Sequence, residues 1–193
     1  MAAALGQGHI GIAVDLSTGA GISSLQSRVS DWSAGAPDII VNNAGTFPNA
    51  SIEAQDPGEL SRTLRLNVEA PFELVRAFLG AMRARGSGDI VTIGSVADKS
   101  AFTGNAAYSA SKYGLRGLHE VLRVETRGSG VRAILVSPGA VDTDIWDPHE
   151  AAIGTRFPKR ADMLVSDDVA RAILFAVSQP PHVDIDELRL TRS

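Results

Sequence analysis

A doubly wound α/β domain, a parallel sheet with helices on both faces, is the fold this sequence predicts. Three observations point to it. Segments that read as strands and helices alternate along the chain. The strand segments are short continuous apolar runs, such as Asp38-Ile39-Ile40-Val41-Asn42, as expected where a sheet is covered on both faces. Glycine-rich turns separate the segments, and Gly86-Ser87-Gly88 and Gly128-Ser129-Gly130 each close a helix.

The elements follow in order. His9–Asp15 reads as a strand and residues 22–34 as a helix. The 38–42 strand runs into the small-residue turn Asn43-Ala44-Gly45. Residues 57–85 form a helix broken around Asn67 and Pro71, since Asn competes for backbone hydrogen bonds and Pro lacks the amide proton. A strand at 89–94 delivers Ser95, and a helix over 107–127 carries Tyr108 and Lys112. The strand 131–137 leads into Pro138-Gly139-Ala140-Val141-Asp142-Thr143. Between Asp142 and Val165 the pattern is irregular, with Pro148, Gly154 and Pro158. Ser166 is an expected N-cap for a helix over 167–178, with Asp167 and Asp168 in its first turn, and a strand at 183–189 completes the sheet. No internal repeat or low-complexity segment appears, so residues 1–193 are expected to form one domain.

Composition narrows the function classes. A net charge of −4 leaves no basic footprint for nucleic acid and no polybasic membrane patch. No apolar run reaches the roughly 20 residues that span a bilayer, and Ala2–Leu5 is too short for a signal-peptide core. The absence of cysteine excludes disulfides and thiolate metal sites and suits a reducing compartment, so a cytoplasmic location is expected. The sequon Asn49-Ala50-Ser51 has no secretory signal to make it meaningful. His9, His119, His149 and His182 are scattered without metal-ligand spacing; surface or strand-end positions are expected for them and no metal site.

Chemistry concentrates in Tyr108-Ser109-Ala110-Ser111-Lys112 and in Ser95, thirteen residues before Tyr108. A helix places positions i and i+4 on one face, so the phenol and the ammonium can address one atom. Bringing a phenol from near 10 to about 7 takes roughly 4 kcal/mol, which a neighbouring cation in a water-poor cleft can supply. The pair would then act as a general acid/base near neutral pH. A Tyr-x-x-x-Lys pair also occurs on solvated helix faces. Ser95 alone reads as a turn serine, and a nucleophile elbow is not met because Ala97 stands where the second glycine belongs.

Taken in order, Asn42-Asn43-Ala44-Gly45, the lone Asn67, Ser95, Tyr108-x-x-x-Lys112 and Pro138-Gly139-x-Val141-x-Thr143 resemble the short-chain dehydrogenases/reductases. The likeness runs from about Ile10 to the C-terminus and implies a Rossmann-type fold. It implies an oxidoreductase exchanging a hydride between NAD or NADP and a small carbonyl or alcohol substrate. By that resemblance Tyr108 is the acid/base and Ser95 holds the substrate oxygen. Lys112 tunes Tyr108 and bonds the nicotinamide ribose. Asn67 kinks its helix and holds a water of a proton relay. Asp15 and Leu16 would contact the adenine, and Asn43, Ala44 and Gly45 the adenosine half, where small residues allow close approach. Pro138, Gly139, Val141 and Thr143 would lie along the nicotinamide. Phe47, Phe102 and Trp146 follow three motif ends and read equally as pocket lining or as core.

The family opens with a strand and a glycine-rich phosphate turn, Thr-Gly-x-x-x-Gly-x-Gly. Thr18-Gly19-Ala20-Gly21 is two residues too short for it. The better register puts Ala13–Leu16 on the family's third strand and Met1–Gly8 on the preceding helix tail and loop. About two βα units, on the order of 50 residues, are then missing. The segment that separates NAD from NADP is among them, so no preference is readable. Asp38–Asn42 is expected to have one unpaired side. The favoured expectation is an intact enzyme whose opening lies upstream of Met1. The alternatives are a short chain whose 9–15 strand slides into the vacancy, and a non-catalytic partner of a full-length relative. The resemblance also implies a homodimer or homotetramer through the helices of residues 68–85 and 108–127. Val68, Phe72, Val75 and Leu79 line the first, and Leu115, Leu118 and Leu122 the second.

Overall fold

The computed structural model describes residues 9–33 and 35–193. Six strands occur among the described residues: β1 (Ile39–Asn42), β2 (Gly88–Ile93), β3 (Val131–Pro138), β4 (Val141–Asp142), β5 (Leu164–Val165) and β6 (Glu187–Leu190). β1, β2, β3 and β6 lie side by side in that order, all parallel, while β4 and β5 form a separate parallel pair. Parallel neighbours require crossovers, and helices supply them. Before β1 comes α1 (Gly19–Trp32); α2 (Glu59–Leu64) and α3 (Ala70–Arg85) link β1 to β2. α4 (Ala106–Thr126) links β2 to β3, and α5 (Ser166–Val177) precedes β6.

The two-residue period of a strand splits the core into two layers. Ile40, Ile90, Val131 and Ala133 face Phe78 and Met82 of α3, Leu122 of α4 and Val29 of α1. Val91, Ile93, Ile134 and Val136 face the other way, against Val169, Ile173, Ala176 and Val177 of α5. This is the doubly wound α/β arrangement that the continuous apolar strands predict. Gly86 and Gly128 take φ of +74° and +75° just past α3 and α4, the left-handed conformation that ends a helix most cheaply with glycine.

Several elements differ from expectation. Residues 9–15 form no strand, because an apolar run becomes one only by pairing and nothing described pairs with it. Nor has it slid beside β1, which is bonded only to β2 among the described residues. Ile39 and Val41 are exposed there, and the buried Asn42 amide lacks hydrogen-bond partners. α1 begins earlier than predicted, with the Thr18 hydroxyl accepting from Gly21 N at 3.0 Å, so the apparent phosphate-loop glycines form its first turn. α5 is capped from Val165, whose amide donates to Asp168 at 2.9 Å, and Ser166 is already helical. β6 is shorter and later than the 183–189 run. The helix and loop expected for Met1–Gly8 lie outside the described residues.

Candidate active site

The break around Asn67 is a π-helical segment, Arg65–Glu69, between α2 and α3. Pro71 stands four residues after Asn67 and cannot donate the amide that the Asn67 carbonyl would accept in an α-helix. The wider turn points the buried Asn67 side chain at the loop after β1. Its Oδ1 accepts from Thr46 N at 2.9 Å, and its Nδ2 donates to Thr46 O and to Ser111 Oγ, each at 3.0 Å. Ser111 Oγ donates in turn to the Tyr108 carbonyl at 2.7 Å. Gly45 suits this close approach, since a Cβ on it would stand a tight 3.3 Å from Asn67 Oδ1. Both amide protons of Asn67 are thus spent within the protein, tying the Asn43–Gly45 turn to the helix of Tyr108. A water on Asn67 would have to use another atom.

Strand β2 ends at Ile93, and Ser95 follows Gly94 into a 3₁₀ turn over Val96–Asp98. Ser95 Oγ accepts from Ala97 N at 3.1 Å, which leaves its hydroxyl proton to point elsewhere. On α4, Tyr108 and Lys112 share a face as the spacing predicts. Lys112 is buried and donates to Ile93 O at 2.8 Å, with Nζ 5.7 Å from the Tyr108 ring centroid.

Withdrawal from water governs both groups. Burial pushes the Lys112 ammonium down to about 8, against the Asp98 charge that holds it up. Burial likewise holds the Tyr108 phenol above its ordinary range; hydrogen bonding with Ser95 works against this and the Asp98 charge adds to it. The lowered phenol pKa predicted from the Tyr108–Lys112 spacing is therefore corrected. Desolvation is the largest influence on the phenol, and the Lys112 ammonium spends its hydrogen bond on Ile93 O.

One cleft of about 1180 Å³ opens at the C-terminal ends of β1, β2 and β3, where open α/β sheets bind ligands. Asn43, Ala44, Gly45, Ser95, Tyr108, Lys112, Pro138, Gly139, Val141 and Thr143 all line it. Asp15 and Leu16 do not. Asp15 holds Ser17 through its carboxylate, and Leu16 lines a separate cavity of about 360 Å³ with Thr18 and Arg65. Among the described residues no three metal-ligating side chains cluster.

Phe47, Phe102 and Trp146 line the cleft, and sequence reasoning missed the rest of their wall. The Phe47 ring stands edge-on to Tyr108 at 4.8 Å, 5.1 Å from Trp146 and 6.0 Å from Phe157. His149 bonds Phe47 O at 2.9 Å, and Trp146 Nε1 donates to Val141 O at 2.9 Å. The irregular 144–162 stretch is thereby fastened over Tyr108. Arg160 pins it from outside, reaching Asp142, Asp147 and Glu150 within 2.9 Å and holding its own pKa above the usual arginine value. His119, expected at the surface, is instead buried on α4. Its position four residues before Arg123 and three after Arg116 gave no sign of that.

Comparison with known proteins places the chain among relatives. The short chain dehydrogenase family profile matches residues 1–153. An uncharacterized oxidoreductase of Staphylococcus saprophyticus is 32% identical over 161 residues, covering 79% of this chain and 64% of that protein. A ketoacyl reductase of a Nostoc species is 35% identical over 198 residues, covering 98% of this chain and 65% of the relative. The chain thus spans just under two thirds of the length of these two relatives. The crystal structure of a metagenomic short-chain oxidoreductase in complex with NADP superposes with a TM-score of 0.78 at 30% identity, covering 99% of this chain and 77% of that one.

Proposed function

Because the chain belongs to the short-chain dehydrogenase/reductase family, we propose that its cleft reduces a carbonyl, or oxidises the matching alcohol, against NAD or NADP. The observation that carries this is the convergence of Ser95, Tyr108 and Lys112 in one cleft at the strand ends, with Ser95 and Lys112 buried. In this reading the substrate oxygen sits between the Ser95 hydroxyl and the Tyr108 phenol. Ser95 donates a hydrogen bond to it. Tyr108, protonated at neutral pH as a phenol ordinarily is and the more so for its burial, hands over its proton as charge develops on that oxygen. Lys112, cationic below about 8, stabilises the phenolate left behind.

The cleft fits the nicotinamide half of a dinucleotide. Small residues at Asn43–Gly45 and Pro138–Ala140 line the cleft and would admit a flat ring, and Lys112, in the same lining, would hold a ribose hydroxyl. When bound, that cofactor supplies or accepts the hydride. Lys112 and Arg156 are the cationic side chains of the lining. The wall of Phe47, Trp146 and Phe157 favours a substrate with an apolar, preferably aromatic, group beside its carbonyl.

The decisive experiment follows nicotinamide absorbance with a panel of aryl ketones, aliphatic ketones and keto acids. Tyr108→Phe should lose about 100-fold or more in kcat/KM, the usual share of a general acid. Equal turnover by parent and variant would remove the mechanism. Calorimetric titration with NAD and with NADP chooses the cofactor, and binding of neither would count against the reading. Self-association through α3 and α4, as a homodimer or homotetramer, completes the proposal.

A further inference from the structure

We propose that Asp98 is a positioning residue of this site: clamped by Ser137 and Arg116, its buried carboxylate fixes the backbone that carries Ser95 and provides the fixed negative charge in the surroundings of Tyr108 and Lys112. The inference rests on the reading of those two residues as the working pair.

Asp98 is 0% exposed, a costly place for a carboxylate unless something holds it there. Its Oδ2 accepts from Ser137 Oγ at 2.7 Å and from Arg116 Nη2 at 3.1 Å. The same oxygen lies where a side chain on residue 94 would be. A Cβ on Gly94 would stand 2.9 Å from it and 2.7 Å from Ser137 Oγ. Gly94 joins Ile93, whose carbonyl accepts the hydrogen bond from Lys112 Nζ, to Ser95. Asp98 N also closes the 3₁₀ turn onto Ser95 O at 3.0 Å. The carboxylate thus braces, from one fixed point, the backbone that anchors Lys112 and the turn that aims Ser95.

Its charge is only partly neutralised. Oδ1 has no hydrogen-bond donor among the described residues and faces Arg189 of β6 at 3.7 Å. Arg116, the nearer cation, is shared with Glu187 at 2.7 Å and Glu120 at 3.7 Å, and Glu187 also takes Lys99 at 3.0 Å. The cations that pair with Asp98 are Arg116 of α4 and Arg189 of β6, and each also meets Glu187 of β6, at 2.7 and 3.6 Å. The Asp98 charge works in the same direction on Tyr108 and Lys112, favouring the protonated form of each, although burial brings Lys112 down overall.

The test reads Tyr108 directly. The chain carries two tyrosines, so ring-labelled tyrosine in a Tyr113→Phe background gives one carbon signal whose pH titration reports the phenol. Asp98→Asn should move that titration to lower pH, and Arg116→Gln should move it to higher pH by exposing the carboxylate's charge. The pH limbs of kcat/KM should move with them, whereas a merely structural role would lower kcat at every pH without displacing either limb. If either variant fails to fold by circular dichroism, Arg189→Gln, at a more exposed cation, decides: a rise supports the proposal and an unmoved titration overturns it. The titration needs neither cofactor nor substrate. A displaced titration in a chain without turnover would sink the proposed reaction and leave Asp98 its role. Turnover with an undisplaced titration would sink Asp98 alone.

Discussion

Lys112 exchanges its water for a single hydrogen bond, to the Ile93 carbonyl at 2.8 Å, and burial brings its pKa to about 8 from an ordinary 10.5. Two consequences of opposite sign follow. The cation is present below about 8 and lost above it, so kcat/KM for the proposed carbonyl reduction should be flat through neutrality and fall as pH rises past that value. Stability should run the other way. Between about 8 and 10.5 the unfolded chain holds a lysine proton that the folded chain has shed, so the urea midpoint should rise across that window. In Lys112→Met both dependences should vanish; a parent enzyme whose activity and stability fall together above pH 8 would contradict the assignment. Gly94 yields a second prediction. The added methyl of Gly94→Ala would meet two side chains locked in a buried hydrogen bond, so a loss of about 1–3 kcal/mol is expected in urea unfolding.

The packing of α4 on β6 carries two groups whose titration should make the fold acid-sensitive in two separate steps. Burial, reinforced by the Arg123 charge, pushes His119 down to about 4, so it folds neutral. As pH falls from 6.5 to 4 the unfolded chain takes up a proton that the folded chain refuses, and stability should drop. Glu187 is displaced differently: its hydrogen bond from Arg116, then that from Lys99, hold its carboxyl at about 2 against a partial burial that works the other way. Its contribution is present above 4.5 and lost as pH falls toward 2. Urea midpoints against pH should lose the first step in His119→Leu and the second in Glu187→Gln, each leaving the other intact. These couplings were not legible in the sequence, and the pattern of what was legible has a physical origin. Tyr108 and Lys112 are joined by the helix period, so spacing alone put them on one face. The break at Asn67 was legible because Asn and Pro act on their own backbone. Its partners were not, for Thr46 and Ser111 lie 21 and 44 residues away. The run His9–Asp15 looked like a strand because apolar pattern is local, whereas pairing is not.

At the scale of the whole molecule, two apolar surfaces remain uncovered among the described residues. One is the outer edge and face of β1, with Ile39 and Val41. The other is a helix face that differs from the stripe expected for self-association. Leu115 is buried, and Leu122, Val75 and Leu79 pack into the layer around Ile90, so the fold has claimed most of those positions. What faces outward on α4 is Tyr113, Gly117, Val121 and Val124, spaced by three or four residues, with Val124 68% exposed. Phe72 is exposed on α3. Gly117 and Gly80 have open space where a Cβ would be, which lets another helix approach closely. A 21-residue helix is roughly 32 Å long, so two such faces meeting about a two-fold axis offer the scale of a specific interface, near 1,600 Å² in total. Such an isologous contact brings Val121 and Val124 close to their own copies. Like charges placed there would repel, so Val121→Glu combined with Val124→Glu should convert a dimer or tetramer into monomers in light scattering at micromolar concentration. Val41→Glu, on the β1 edge, should leave the assembly as it is. If the charges on α4 change nothing while Val41→Glu dissociates the protein, the sheet edge is the interface; a parent chain that is already a monomer would reject association by either surface.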